Sequence, residues 1–168
     1  MAISMYRASV PVFVQMLNAL AGVLKKAADH AQAKKIDPAA LLTARLYPDM
    51  FALIKQVQIA CDFAKGCSAR LADVDIPKYE DNEASFADLD ARIARTVAFL
   101  GTLKPAQIDG SEDKAIALTI GGQAMNFDGL TYLLNFTLPN FYFHVTTAFG
   151  LLRHNGVELG KRDFMGVR

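Results

Sequence analysis

Phe13, Met16, Leu17, Leu20, Leu24 and Ala27 recur at spacings of three and four, marking one face of a helix near the start of the chain. Pro11 either opens the main part of this helix after Ser9 or kinks it, because a mid-helix proline loses a hydrogen bond and crowds the preceding turn. The polar stretch DHAQAKKID ends it, and His30 in that last turn suits the helix dipole rather than catalysis. Asp37-Pro38 has the form of an N-cap followed by proline at the first helical position, enough for one turn within a connection. A second long helix is predicted from near Asp49 to before Pro77, with Ile54, Val57, Cys61, Ala64 and Leu71 on one seam. After the polar loop PKYEDNEAS, Ser85-Phe86-Ala87-Asp88 has the form of a capping box. It opens a third helix with Phe86, Leu89, Ile93, Val97 and Leu100 inward, stopping near Lys104-Pro105.

The period then changes. Ile116, Leu118 and Ile120 alternate with other residues, Gly121-Gly122 follows, and Met125 and Phe127 come after. Alternation around a Gly-Gly pair predicts a β-hairpin, since both turn residues can take positive φ. A lone hairpin is marginal in water, so Ile116, Leu118, Ile120 and Phe127 are expected to pack it on the helices. A fourth long helix is predicted from near Asp128 to a C-cap at Asn155-Gly156, where Arg153 and His154 meet its negative end. It is apolar nearly all round and should be the most buried of the four. Its Pro139 leaves the carbonyl of Asn135 without its usual partner, and predicts a bend just before Asn140 and His144. The pattern gives a mainly all-α fold, a four-helix bundle with a small hairpin between the third and fourth helices, as one domain over residues 1–168.

A chain of 168 residues can bury a core without staples, and with no Trp that core is aliphatic, Phe and Met. Eighteen basic against seventeen acidic side chains leave a net charge of +1, so nothing draws the whole chain to nucleic acid or anionic lipid. Small molecules or a second copy are the expected partners. The N-terminal stretch MAISMYRASVPVF lacks the regions of a signal peptide, and Gln15, Asn18 and Asn135 interrupt the best apolar runs. A cytoplasmic location follows as an expectation. Cys61 and Cys67 lie six apart, on largely opposite sides of a helix, and are expected to be reduced core thiols.

Chemistry has one place to sit. Asn140 and His144 are i and i+4 on the fourth helix, and Thr137 and Thr147 extend that face by a turn each way. On the second helix Gln58 flanks the apolar seam, with Asp62 one turn further on. Gln58, Asp62, Asn140 and His144 can therefore converge in the bundle interior. The simpler reading of these residue types is a core histidine bonded to an amide and a hydroxyl, since one His with two amides is no recognised metal set. There is no CxxC, no HExxH, no nucleophile elbow, and the Gly121-Gly122 pair precedes a strand pattern rather than a helix start.

The order of helix, linker, helix, helix, hairpin and helix resembles the DinB/YfiT-like bundle superfamily. The stretches MYRASVPVFVQML, LYPDMFALIKQVQIACDFAKG and NFYFHVTTAFGLLRHNGVELGKRDF look like a bacterial branch of it whose function is not assigned. In metal-binding members, one His on the second helix and an HxxxH pair on the last bind a divalent ion. The resemblance places His144, followed by Leu152-Arg153 and Gly156, at the second His of that pair. It puts Asn140 at the first and Gln58 at the second-helix position. Amide oxygens are weak ligands where imidazoles are good ones. The resemblance thus implies a pocket and a degenerate metal site, with no cofactor expected.

Three functions compete. The first is a metal-free small-molecule pocket, or a purely structural role. The second is a metal-dependent transferase or hydrolase using His144 with Asp62 and water, on a divalent metal such as zinc or nickel. The third is a dimeric interaction module. A homodimer is expected in any case, from the high hydrophobic content and from the pairing habit that the resemblance implies.

Overall fold

A computed structural model describes residues 3–166, so the predicted domain extends two residues past the described chain at each end. Four long helices carry the bundle: α1 (Met5–Lys34), α3 (Leu53–Ala72), α4 (Phe86–Thr102) and α7 (Leu138–His154). Short helices α2 (Pro38–Leu42), α5 (Pro105–Ile108), α6 (Gly129–Thr131) and α8 (Lys161–Met165) lie in the connections. A hairpin of β1 (Ile116–Ile120) and β2 (Gln123–Phe127) stands between α5 and α6. Around the bundle α1 packs on α4, α4 on α3, α3 on α7 and α7 back on α1.

The predicted seam of α1 is buried throughout, and the helix runs unbroken past Pro11 and His30 to a left-handed C-cap at Lys35. Ser9 just before Pro11 turns its hydroxyl onto the Met5 carbonyl at 2.6 Å. The capping box of α4 forms: Ser85 Oγ accepts from the Asp88 N–H, and Asp88 accepts in return from the Ala84 N–H and the Ser85 hydroxyl. Asp37 caps α2.

Helix α3 is shorter than predicted at both ends. It starts at Leu53, after an exposed turn carrying Leu46, Tyr47 and Phe51, and stops at Asp73, which takes φ +58°. Asp tolerates this left-handed geometry, so the helix ends well before Pro77 forces it to. Most of α3 is buried but less than half of α7 is, which reverses the expected order. Besides α4 and α7, α3 is covered by α5 and by the loop that carries Glu83. Helix α7 leaves Tyr142 and Phe143 in solvent.

The hairpin turns at Gly121 (φ +56°) and Gly122 (φ +81°), the two positive angles a two-residue turn needs, with Ile120 opposite Gln123 and Ile116 opposite Phe127. Ile116 is buried and Leu118 and Phe127 are half-buried, but Ile120 at the tip is 43% exposed because the strands outrun the bundle. Asp128 caps α6, and the chain continues through a π-helical segment, Tyr132–Thr137, into α7. Pro139 has no N–H to continue the ladder. The widened turn just before it absorbs the mismatch, with the Leu138 N–H reaching back five residues to the Leu133 carbonyl.

Candidate functional site

Asn140 and Thr147 of α7 bond within their own helical run. The Asn140 amide donates to the Phe136 carbonyl inside the π segment at 2.7 Å, and the Thr147 hydroxyl donates to the Phe143 carbonyl at 2.7 Å. His144 is different. It is buried between Phe63 (stacked, ring centroids 5.9 Å apart) and Phe143 (edge-on, 5.2 Å). Its Nδ1 lies 2.7 Å from Gln56 Oε1. The Gln56 amide nitrogen donates to the Phe51 carbonyl at 3.0 Å, which leaves its oxygen facing the ring. Nδ1 therefore carries the proton and Nε2 is the acceptor, with no hydrogen-bond partner among the described residues. Burial holds the imidazole below its ordinary pKa, so it is neutral at pH 7.

Gln58 and Asp62 face another way. Gln58 donates to Glu83 at 2.8 Å, and Asp62 Oδ1 pairs with both Arg92 and Lys65 at 2.9 Å. Arg92 of α4 is 1% exposed and also binds Asp81 and Glu83, each at 3.0 Å. Burial alone would raise the Glu83 pKa, but hydrogen bonds from Arg92 and Gln58 hold it below its ordinary value. Lys65, Arg92 and Arg95 all sit over the ring of Tyr79, Arg95 closest at 3.9 Å. Sequence reasoning missed this network. The acid-rich loop YEDNE, followed by an Arg flanked by the inward-facing Leu89 and Ile93, was the signal that could have found it.

Between α3, β1 and the π segment lies a cleft of about 470 Å³. Its walls are Ile59, Phe63, Tyr132 and Phe136 with Leu118 and Ile120 of the hairpin, and its polar side chains include Asp62, Arg70, Thr119 and Asn140. The expected convergence is thus partial. Asp62 and Asn140 share this cleft, His144 stands one turn along α7 outside its lining, Gln58 belongs to the Glu83 side, and Thr147 is a turn further off. Gln58 fails to reach His144 because Gln56 and Gln58, two residues apart, project to nearly opposite sides of α3. The buried thiols of Cys61 and Cys67 are free, and burial pushes both up to about 12, so neither is a nucleophile at neutral pH. A wider and more open hollow of about 870 Å³ beside the cleft shares Arg70 and Ala117 with it and is further lined by Asp73, Asp75, Lys78 and Lys114 with Val74 and Ile76.

A family model described as a domain of unknown function, DUF1993, matches residues 5–165. The chain belongs to that family. A crystal structure of a DinB family member protein from Shewanella denitrificans is similar to this DUF1993 chain with a TM-score of 0.88 and 40% identity. The similarity covers 97% of this chain and 92% of that one. No functionally curated protein matches the DUF1993 chain.

The sequence resemblance implies a divalent metal at Gln58, Asn140 and His144, and the side chains at those positions of this DUF1993 protein do not fit one. Of the three corresponding positions, Gln58 is turned to Glu83, Asn140 closes the π turn, and only His144 offers a free imidazole nitrogen. Among the described residues no three His, Cys, Asp or Glu side chains group as a metal site. Asp62 is held by Arg92 and Lys65 through Oδ1, in the charged network rather than beside the His144 ring.

Proposed function

We propose that this DUF1993 protein is a metal-free DinB-like bundle that binds a small organic molecule in the cleft beneath the hairpin. The observation that carries the reading is the commitment of the amides: both side chains that replace imidazoles are engaged elsewhere, beside a cleft with aromatic walls and few polar groups. That composition suits an organic ligand. The balanced charge favours a small molecule and a second copy of the chain as partners over nucleic acid or a lipid surface. A cytoplasmic location belongs to the same reading. It is supported by α1, which has the length and hydropathy of a membrane span but lends the seam from Phe13 to Ala27 to the core.

Metal analysis of tag-free protein by mass spectrometry tests the reading. Zinc, nickel and iron are expected far below one per chain. Asn140→His combined with Gln56→His should raise zinc affinity by orders of magnitude, because three imidazoles then share the space around His144. Near-stoichiometric metal in the unmodified protein, released by His144→Ala, would overturn it.

A further inference from the structure

Resting on the reading of the cleft as a small-molecule site, we propose that its ligand is an organic monoanion, an apolar or aromatic body with one carboxylate, and that Arg70 holds the carboxylate. Charges around the cleft support this. Asp62, Asp81 and Glu83 are matched by Arg92, Lys65 and Lys55 through contacts of 2.6 to 3.0 Å. Asp62 therefore brings no net charge for Arg70 to answer. Arg70 makes no ion pair among the described residues, and its one side-chain hydrogen bond runs from Nη1 to the Tyr132 hydroxyl at 3.1 Å. A half-buried guanidinium with no acid of its own, where the cleft meets the open hollow beside it, is a site for one.

The guanidinium is also placed. Its Nη1 lies where a Cβ on Gly66 would stand 2.8 Å away, so the glycine one turn back gives it room along α3. With Nη1 engaged by Tyr132, Nε and Nη2 remain as a parallel pair of donors, the geometry that a carboxylate takes in bidentate fashion. The rest of the wall wants no charge. Phe63, Tyr132 and Phe136 form a continuous aromatic surface, with Phe136 5.9 Å from Phe63 and 6.0 Å from Tyr132, and Ile59 and Leu118 extend it. A dianion such as a phosphate monoester would find a single unpaired cation on this wall, one charge short of its own. A monocarboxylate with a ring fits both halves.

The probes are naphthalene-1-acetate and its uncharged amide, titrated calorimetrically into the full chain. The acid should bind at least about tenfold more tightly than the amide, the ratio expected for hydrogen bonds to a charged group. Arg70→Met should bring the two to parity, and Arg70→Lys should keep part of the preference. Should Arg70→Met fail to fold by circular dichroism, Tyr132→Phe, which releases the guanidinium, should shrink the ratio. Equal binding of acid and amide overturns the anionic assignment and leaves the cleft reading standing. Failure of both probes at millimolar concentration overturns the two together. An acid preference that survives in folded Arg70→Met removes Arg70 from the site.

Discussion

The guanidinium of Arg92 and the imidazole of His144 are both buried, and the structure treats the two oppositely. Arg92 keeps its charge because three carboxylates lie within 3.0 Å, while His144 meets an amide and two aromatic rings and stays neutral. The histidine has a consequence for stability. Burial lowers its folded pKa, so below the ordinary value of 6.5 the unfolded chain binds a proton that the folded chain refuses. Its effect is absent above that pH and grows as the pH falls, by at most about 1.4 kcal/mol per pH unit. The melting temperature should drop between pH 7 and about 5, and His144→Gln should flatten that part of the profile. Asp81 and Glu83, held below 3.8 and 4.5 by Lys55 and by Arg92 with Gln58, lose their contribution only at more acid pH, so the windows separate. Superimposable profiles for the two proteins would exclude this role for His144. The histidine was legible as a buried polar group from its helical spacing. Its partner was not, because a helix buried on nearly every side gives no phase by which to choose Gln56 over Gln58.

At the scale of elements, the pattern of apolar residues located four long helices and the hairpin, but misjudged how the last helix begins. The run from Gly129 to His154 passes from α to π and back to α, and no periodicity shows an inserted residue within a six-residue stretch. Pro139 was the legible part: its missing N–H demanded an irregularity just upstream. The start of that run is fixed by contact. A Cβ on Gly129 would stand 1.9 Å from the Ser111 carbonyl oxygen, and the neighbouring Leu130 N–H donates to the Glu112 carbonyl at 2.9 Å. The segment after α5 thus clamps the base of α6, and with it the floor of the cleft formed by Tyr132 and Phe136. Gly129→Ala cannot be relieved by a side-chain rotation, because the obstacle is backbone. It should cost about 2–3 kcal/mol, as overpacking does. For a chain of this size that is a fall of roughly 5–10 °C in melting temperature. Gly150→Ala, where a Cβ meets nothing within 4 Å, should leave the melting temperature unchanged or raise it slightly. Equal melting of the two variants would show that the clamp yields freely.

For the whole molecule, the feature left over is the outer side of the last helical run. Leu130 and Leu134 are 43% exposed and Phe143 is 55% exposed, with Tyr142 beside it. Phe51, just before α3, is exposed too, and Gln56 ties its carbonyl to His144, the neighbour of Phe143. Exposed apolar side chains thus lie both on the α7 run and at the start of α3. An apolar area of this kind is a liability on a monomer. The high hydrophobic content of the sequence anticipated such a surface, although which helix would carry it depended on packing that the sequence does not encode locally. A homodimer through this face accounts for it, and would bring a second chain beside His144 without covering the charged network on the far side of α3. Analytical ultracentrifugation should show a species of twice 18.3 kDa at tens of micromolar. Leu130→Glu with Leu134→Glu should return the chain to 18.3 kDa with little change in melting temperature, because neither side chain contributes to the buried core. A wild-type chain that sediments only as a monomer at those concentrations rules the dimer out. A dimer indifferent to both substitutions would place the interface on another face.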